Sequence, residues 1–192
     1  MAYNNTLYGQ DGAAGPAGTV EFTNTTVSAV TGSGTQASPF QITSSGNISP
    51  EVTFNRKDTY VNGQNYFRQE MTLTNTTASN LSLNVYLGGD IYLANDDSGK
   101  PVYVNGAPGG ETCSNSSMPG FNILIFGLNP LPTHYTANQY GNVWNQIMST
   151  GDLDDQIANF DCADNGAAIQ WKVDLPANGV ITILGATSFG CF

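Results

Sequence analysis

Only five Lys and Arg residues stand against 15 Asp and Glu in 192 positions, for a net charge of −10. Proteins that bind nucleic acid use Lys and Arg to release counterions from phosphates. Arg56, Lys57, Arg68, Lys100 and Lys172 are too few for such a footprint. The same scarcity argues against anionic membranes, and no apolar run approaches the ~18 residues of a spanning helix. Neither nucleic acid nor membrane insertion is therefore expected. Histidine occurs once, as His134, and the cysteines are three: Cys113, Cys162 and Cys191. No CxxC or Cys/His spacing points to zinc, and an odd count allows at most one internal disulfide. Cys113–Cys162, bridging two long loops, is the expected pair, with Cys191 unpaired or pairing between subunits; three free buried cysteines are the alternative. The opening Met1-Ala2-Tyr3-Asn4-Asn5 lacks the basic n-region and apolar h-region of an export signal.

What is present is Thr, Val, Ile, Tyr and Phe punctuated by Gly, Asn and Pro, which argues for an all-β fold. The length suits one domain, read as an extended Gly-rich N-terminal arm over 1–18 and a β-sandwich over 19–192. Strand-like alternation covers Thr19–Val27, Phe40–Thr43 and Ile48–Phe54. It is clearest over Asn65–Asn75, where the face carrying Phe67, Met71 and Leu73 should meet the core. Leu81–Leu87 follows, after a hairpin loop at Asn75–Asn80. Further strands are expected at Ile91–Leu93, Val102–Val104, Asn122–Phe126, Ala168–Val173 and Val180–Phe189, the last with Gly185 as a bulge or bend. One helix is predicted over Tyr140–Ser149, where Val143, Trp144, Ile147 and Met148 keep helical spacing. Together these describe an antiparallel β-sandwich with one short helix.

Within the arm, Gly9, Gly12, Gly15 and Gly18 fall at every third position. That is the collagen period, which exists because only Gly fits the triple-helix axis. Three triplets are too short to hold a triple helix alone, and a flexible linker is the simpler reading.

Several stretches carry a resemblance. Ser28–Phe40 leads in; Asn65-Tyr66-Phe67-Arg68 is followed by Leu73-Thr74-Asn75-Thr76. Tyr86–Leu93 precedes Asp96-Asp97-Ser98-Gly99, and Asp164–Trp171 precedes an apolar C-terminal strand after Leu175–Gly179. In this order, from about residue 28 to the end, the chain resembles a module of secreted bacterial proteins. That module is similar to the large antiparallel sandwiches related to galactose-mutarotase-like domains. The resemblance implies a sandwich fold, a surface location beside catalytic or wall-attached units, and no catalysis of its own.

Three acidic clusters offer oxygen ligands. Asp90, Asp96 and Asp97, with Asn95 and Ser98, lie on a Gly-flanked loop of the kind that holds Ca²⁺ through 6–8 oxygens; turn chemistry is the simpler alternative. Asp152, Asp154 and Asp155 form a second, weaker candidate. Asp161 and Asp164 read as turn formers around Cys162. Glycosidase chemistry needs two carboxylates ~5–10 Å apart, and nothing singles out a pair among Glu21, Glu51, Glu70 and Glu111; Glu70 fits a cross-strand ion pair. No GxSxG, HExxH or P-loop occurs, so no enzymatic activity is expected. Tyr135, Tyr140 and Trp144 would be sugar-stacking aromatics if exposed; the alternative is that Tyr140 and Trp144 form a plug closing one end of the sandwich. Trp171 reads as core. Sequons at Asn4, Asn24, Asn47, Asn75, Asn80 and Asn115 matter only in a glycosylating host.

The expectation drawn from all this is a structural subunit of an extracellular or virion-surface assembly, a fibre, filament or decoration protein. Its partners would be copies of itself, engaged through the N-terminal arm. A glycan-binding, adhesive module of a larger secreted protein is the rival.

Overall fold

The computed structural model describes residues 1–9 and 19–191. Its elements are β1 (Ala2–Tyr3), β2 (Thr6–Gly9), β3 (Val20–Glu21), β4 (Thr23–Val27), β5 (Phe40–Ser49), β6 (Val52–Tyr60), β7 (Tyr66–Asn75) and β8 (Leu81–Asp90). There follow β9 (Ser98–Val104), β10 (Ala107–Thr112), β11 (Phe121–Asn129), β12 (His134–Gln139), α1 (Tyr140–Met148), β13 (Gln156–Ile157), β14 (Ala163–Leu175) and β15 (Val180–Cys191). The all-β fold with one short helix is as the composition predicts.

Alternation sets the faces. Along β7, Gln69, Leu73 and Asn75 are buried and Phe67 and Met71 half-buried, while Arg68 points to solvent. Two strand groups pack through such faces. One runs β10-β11-β15-β7-β6-β5-β4; the other has β8 and β14 at its centre, with β1 and β12 alongside. Between them lie Ile48, Val52, Phe54, Leu73, Ile125 and Ile183 from the first group, against Leu83, Val85, Ile169, Trp171 and Val173 from the second. Burying such side chains contributes roughly 1.5–3 kcal/mol each. Trp171 is core, as predicted, at 2% exposure, and its indole N–H donates to the Pro130 carbonyl at 2.8 Å. The thirteen-residue β14 joins the groups, pairing with β9 at Ala163 and Asp164 before turning to β8. The path ends at β3 on one side and β4 on the other, and only Phe22 separates these strands in the chain. The sandwich is therefore nearly closed on itself. Phe22 packs its ring on Phe54 at 4.7 Å where the ends meet.

Several boundaries differ from expectation. Residues 1–9, read as arm, belong to the body: Ala2 pairs with Asn84, and Tyr3 enters the core. Asn4 and Asn5, both at positive φ (49° and 58°), form the two-residue turn that folds β2 back on β1, the Asn-rich left-handed geometry of tight hairpins. The Gly-X-Y triplets fall on residues 10–18, outside the described residues. Thr19–Val27 is not one strand but two, broken at Phe22. Ile91–Leu93 is not a strand; it opens a tight turn with Ala94 and Asn95 at positive φ. The bulge expected at Gly185 lies on the partner strand, where Leu128 has no register partner between Gly127↔Gly185 and Asn129↔Leu184.

Helix α1 matches its prediction closely. Val143 and Ile147 bury against Ala2, Leu7, Leu153 and Ala168 in a second cluster, with Trp144 beside them.

Candidate functional sites

The three aromatics read as a sugar platform do not form one surface. Tyr140 and Trp144 meet edge to face on α1, 5.9 Å apart, and Trp144 packs on the helix's own cluster. The Trp144 indole nitrogen is buried, with no hydrogen-bond partner among the described residues. Tyr135, on β12, packs instead against the main core. Its ring stacks on Tyr103 of β9 with centroids 4.6 Å apart. Tyr103 is 45% exposed, and no local pattern in the sequence pairs it with Tyr135.

Beside this stack lies a polar network. His134 Nδ1 meets Asp155 at 2.8 Å, and its Nε2 faces Asp152 at 3.7 Å. Asp152 accepts from Lys172 at 2.8 Å and from Gln170 at 3.1 Å. The Lys172 hydrogen bond, above all, holds the Asp152 carboxyl below the usual range. Fully buried Gln170 also accepts from the Leu153 N–H. Asp154 accepts from Gln146. All three carboxylates of this second acidic cluster thus have hydrogen-bond partners that fix the α1–β13 loop. Glu70 makes a cross-strand ion pair, with Lys57 at 2.9 Å.

The first acidic cluster is partly redrawn. Asp90 and Asp97 come together, but their companion is Asp164: oxygens of the three carboxylates lie within 4.8 Å of one another. Asp96 turns away to accept the Ser98 N–H as a turn former. Asp164 arrives because β14 pairs with β9 at Asp164↔Ser98. Partial burial, then the charges of Asp164 and Asp97, raise the Asp90 carboxyl above its ordinary value. Carboxylates so placed are suited to a hard cation such as Ca²⁺.

Cys113 and Cys162 form the expected disulfide, with Cα atoms 5.1 Å apart. Asp161 accepts from both the N–H and the hydroxyl of Ser114, bracing the bridge from outside. Cys191 is exposed and unpaired.

A further feature has only a partial signal in the sequence. On the first strand group, β5, β6, β7 and β15 line an open cleft of about 340 Å³. Val30, Phe40, Ile42, Tyr60, Phe67 and Phe189 line it. Asp58, at its inner side, is held by Arg56 through a three-contact ion pair. Alternation places Phe67 facing inward, but no local pattern says that it lines an open cleft.

No family model matches the chain, and no curated protein matches it. Among solved structures, heparan sulfate lyase HepC from Pedobacter heparinus is similar over 88% of this chain, at 13% identity and a TM-score of 0.50. Heparinase III is similar over 86%, at 11% identity and a TM-score of 0.48. The chain spans only 22% and 21% of those proteins' lengths. The likeness to HepC shows a shared β-rich fold.

Proposed function

We propose that this chain is a non-enzymatic structural subunit of an extracellular or virion-surface assembly built from copies of itself. The observation that carries the reading is the open aromatic cleft, with Phe40, Tyr60, Phe67 and Phe189 left uncovered on a chain of net charge −10. A contiguous apolar hollow on an otherwise polar surface marks an interaction site. The Cys113–Cys162 bridge favours an oxidising setting outside the cell. A relation to galactose-mutarotase-like sandwiches belongs to this proposal, supported by the β-rich likeness to HepC. Since residues 1–9 pack into the body, any separate arm contact would rest on residues 10–18. Sedimentation across a concentration series tests the reading: self-association supports it, and a monomer at every concentration ends it.

One observation favours a second reading, a glycan-binding module. The half-exposed Tyr103 ring stacked on Tyr135 presents an aromatic face of the kind sugars stack on. A glycan array probed with the parent chain and with Tyr103→Ala tests it. Binding lost in the variant supports the module, and an array without signal for the parent chain removes it.

A further inference from the structure

β4 ends the sheet, bonded on one side to β5 through Thr23↔Asn47, Thr26↔Ser45 and Val27↔Ser44, with no strand on the other side among the described residues. All five of its residues are exposed. The chain continues along the same edge, where Ser28 donates its N–H to Thr43 and Thr31 bridges Gln41. Soluble proteins guard such edges with charge, proline or bulges, because unpaired N–H and C=O groups template further pairing. Here the guard is slight. An irregularity with Asn24 at positive φ protects the first residues, but Thr26-Val27-Ser28-Ala29-Val30-Thr31 carries neither charge nor proline. The neutrality extends well beyond the strand, since residues 22–50 contain no charged side chain at all.

This edge borders the cleft. Val27 pairs with Ser44, which by alternation puts it on the face of β5 that carries Phe40 and Ile42, and Val30 lines the hollow directly. Both are largely exposed, at 66% and 63%. Asp58 lines the cleft but is paired with Arg56, and the acidic clusters lie elsewhere: Asp90, Asp97 and Asp164 together, and Asp152, Asp154 and Asp155 by α1. Two copies of an acidic chain repel wherever such surfaces approach within the ~8–10 Å reach of charge in physiological salt. At this edge two copies would meet through residues 22–50, which carry no charged side chain on either copy, so that repulsion does not oppose the contact.

We infer that a second copy of the chain docks here, pairing Thr26–Thr31 antiparallel with its own counterpart about a two-fold axis. The Val27 and Val30 side chains of both copies then cover the outer rim of the two clefts. An isologous contact of this kind closes on itself, so the unit of assembly is a dimer. The inference rests on the self-association proposed above and names its surface.

The test compares three proteins by sedimentation at matched concentrations: the parent chain, Val27→Lys/Val30→Lys, and a chain with residues 10–18 replaced by a Gly/Ser run of equal length. The expected result is a parent dimer, at least a tenfold weaker dimer in the double variant, and an unchanged dimer in the linker replacement. A parent that associates equally well with both lysines in place overturns the edge contact and leaves self-association standing. A monomeric parent overturns both. A parent dimer lost only in the linker replacement moves the contact to residues 10–18 and also overturns the inference. Hydrogen exchange on the parent chain gives an independent readout, with amide protection over 26–31 rising with concentration; protection independent of concentration contradicts it.

Discussion

At the scale of residues, the acidic side chains divide by what stands next to them. Asp152 is held below the ordinary carboxylate range by Lys172 and Gln170. A depressed folded-state value means that its contribution is present at neutral pH and is lost as pH falls from about 4 through the lower folded value. Both side chains are about half exposed, so the effect is small. Lys172→Met should cost a few tenths of a kcal/mol at pH 7, and the difference from the parent chain should shrink progressively in acid unfolding as pH falls below about 4. Asp90 is the opposite case, raised by partial burial and by its neighbours Asp164 and Asp97. Asp97→Asn should therefore raise the melting temperature at pH 7 by about 2 °C. If the trio holds Ca²⁺, adding the ion stabilises the parent chain and not the variant. The sequence shows Asp90 and Asp97 plainly on their Gly-flanked loop. It does not show Asp164, which a strand pairing brings from more than sixty residues away, nor that Asp96 would be turned aside by the Ser98 N–H.

At the scale of elements, what was legible was periodicity, and what was not was backbone approach. Strands β7 and β8 and helix α1 announce themselves because one face is apolar at the right period. Strand β10 does not, because its sequence is Ala-Pro-Gly-Gly-Glu-Thr. Its glycines are there for clearance: a Cβ on Gly109 would stand 2.0 Å from the Ile123 carbonyl oxygen, and one on Gly110 would meet Asn165 at 2.1 Å. Gly109→Ala should destabilise by about 1–3 kcal/mol, read as a lower denaturant midpoint in urea; an unchanged midpoint would mean that β10 yields easily. The disulfide belongs to this scale too, tying the loop after β10 to the loop before β14 across 49 residues. Closing a loop of that size removes unfolded-state entropy worth roughly 3–4 kcal/mol. Reduction should lower the melting temperature by several degrees, and the intact mass of the unreduced chain should show one bridge, with Cys191 open to alkylation.

At the scale of the whole molecule, the scarcity of Lys and Arg takes on a definite geometry. Charge is not merely low but absent from residues 22–50, and those residues fold as the terminal strands of the sheet beside its aromatic cleft. At the β4 end of the near-closed path, exposed apolar side chains stand beside a sheet edge with no strand on its outer side among the described residues. The cleft escaped the sequence because its lining joins β15 to β5, β6 and β7, far away in the chain. Its consequence for assembly can be put to one measurement. Sedimentation velocity of the intact chain over a wide concentration range should show a species of twice the chain's mass that dissociates on dilution. A chain that stays monomeric to the highest concentration reached would contradict the account.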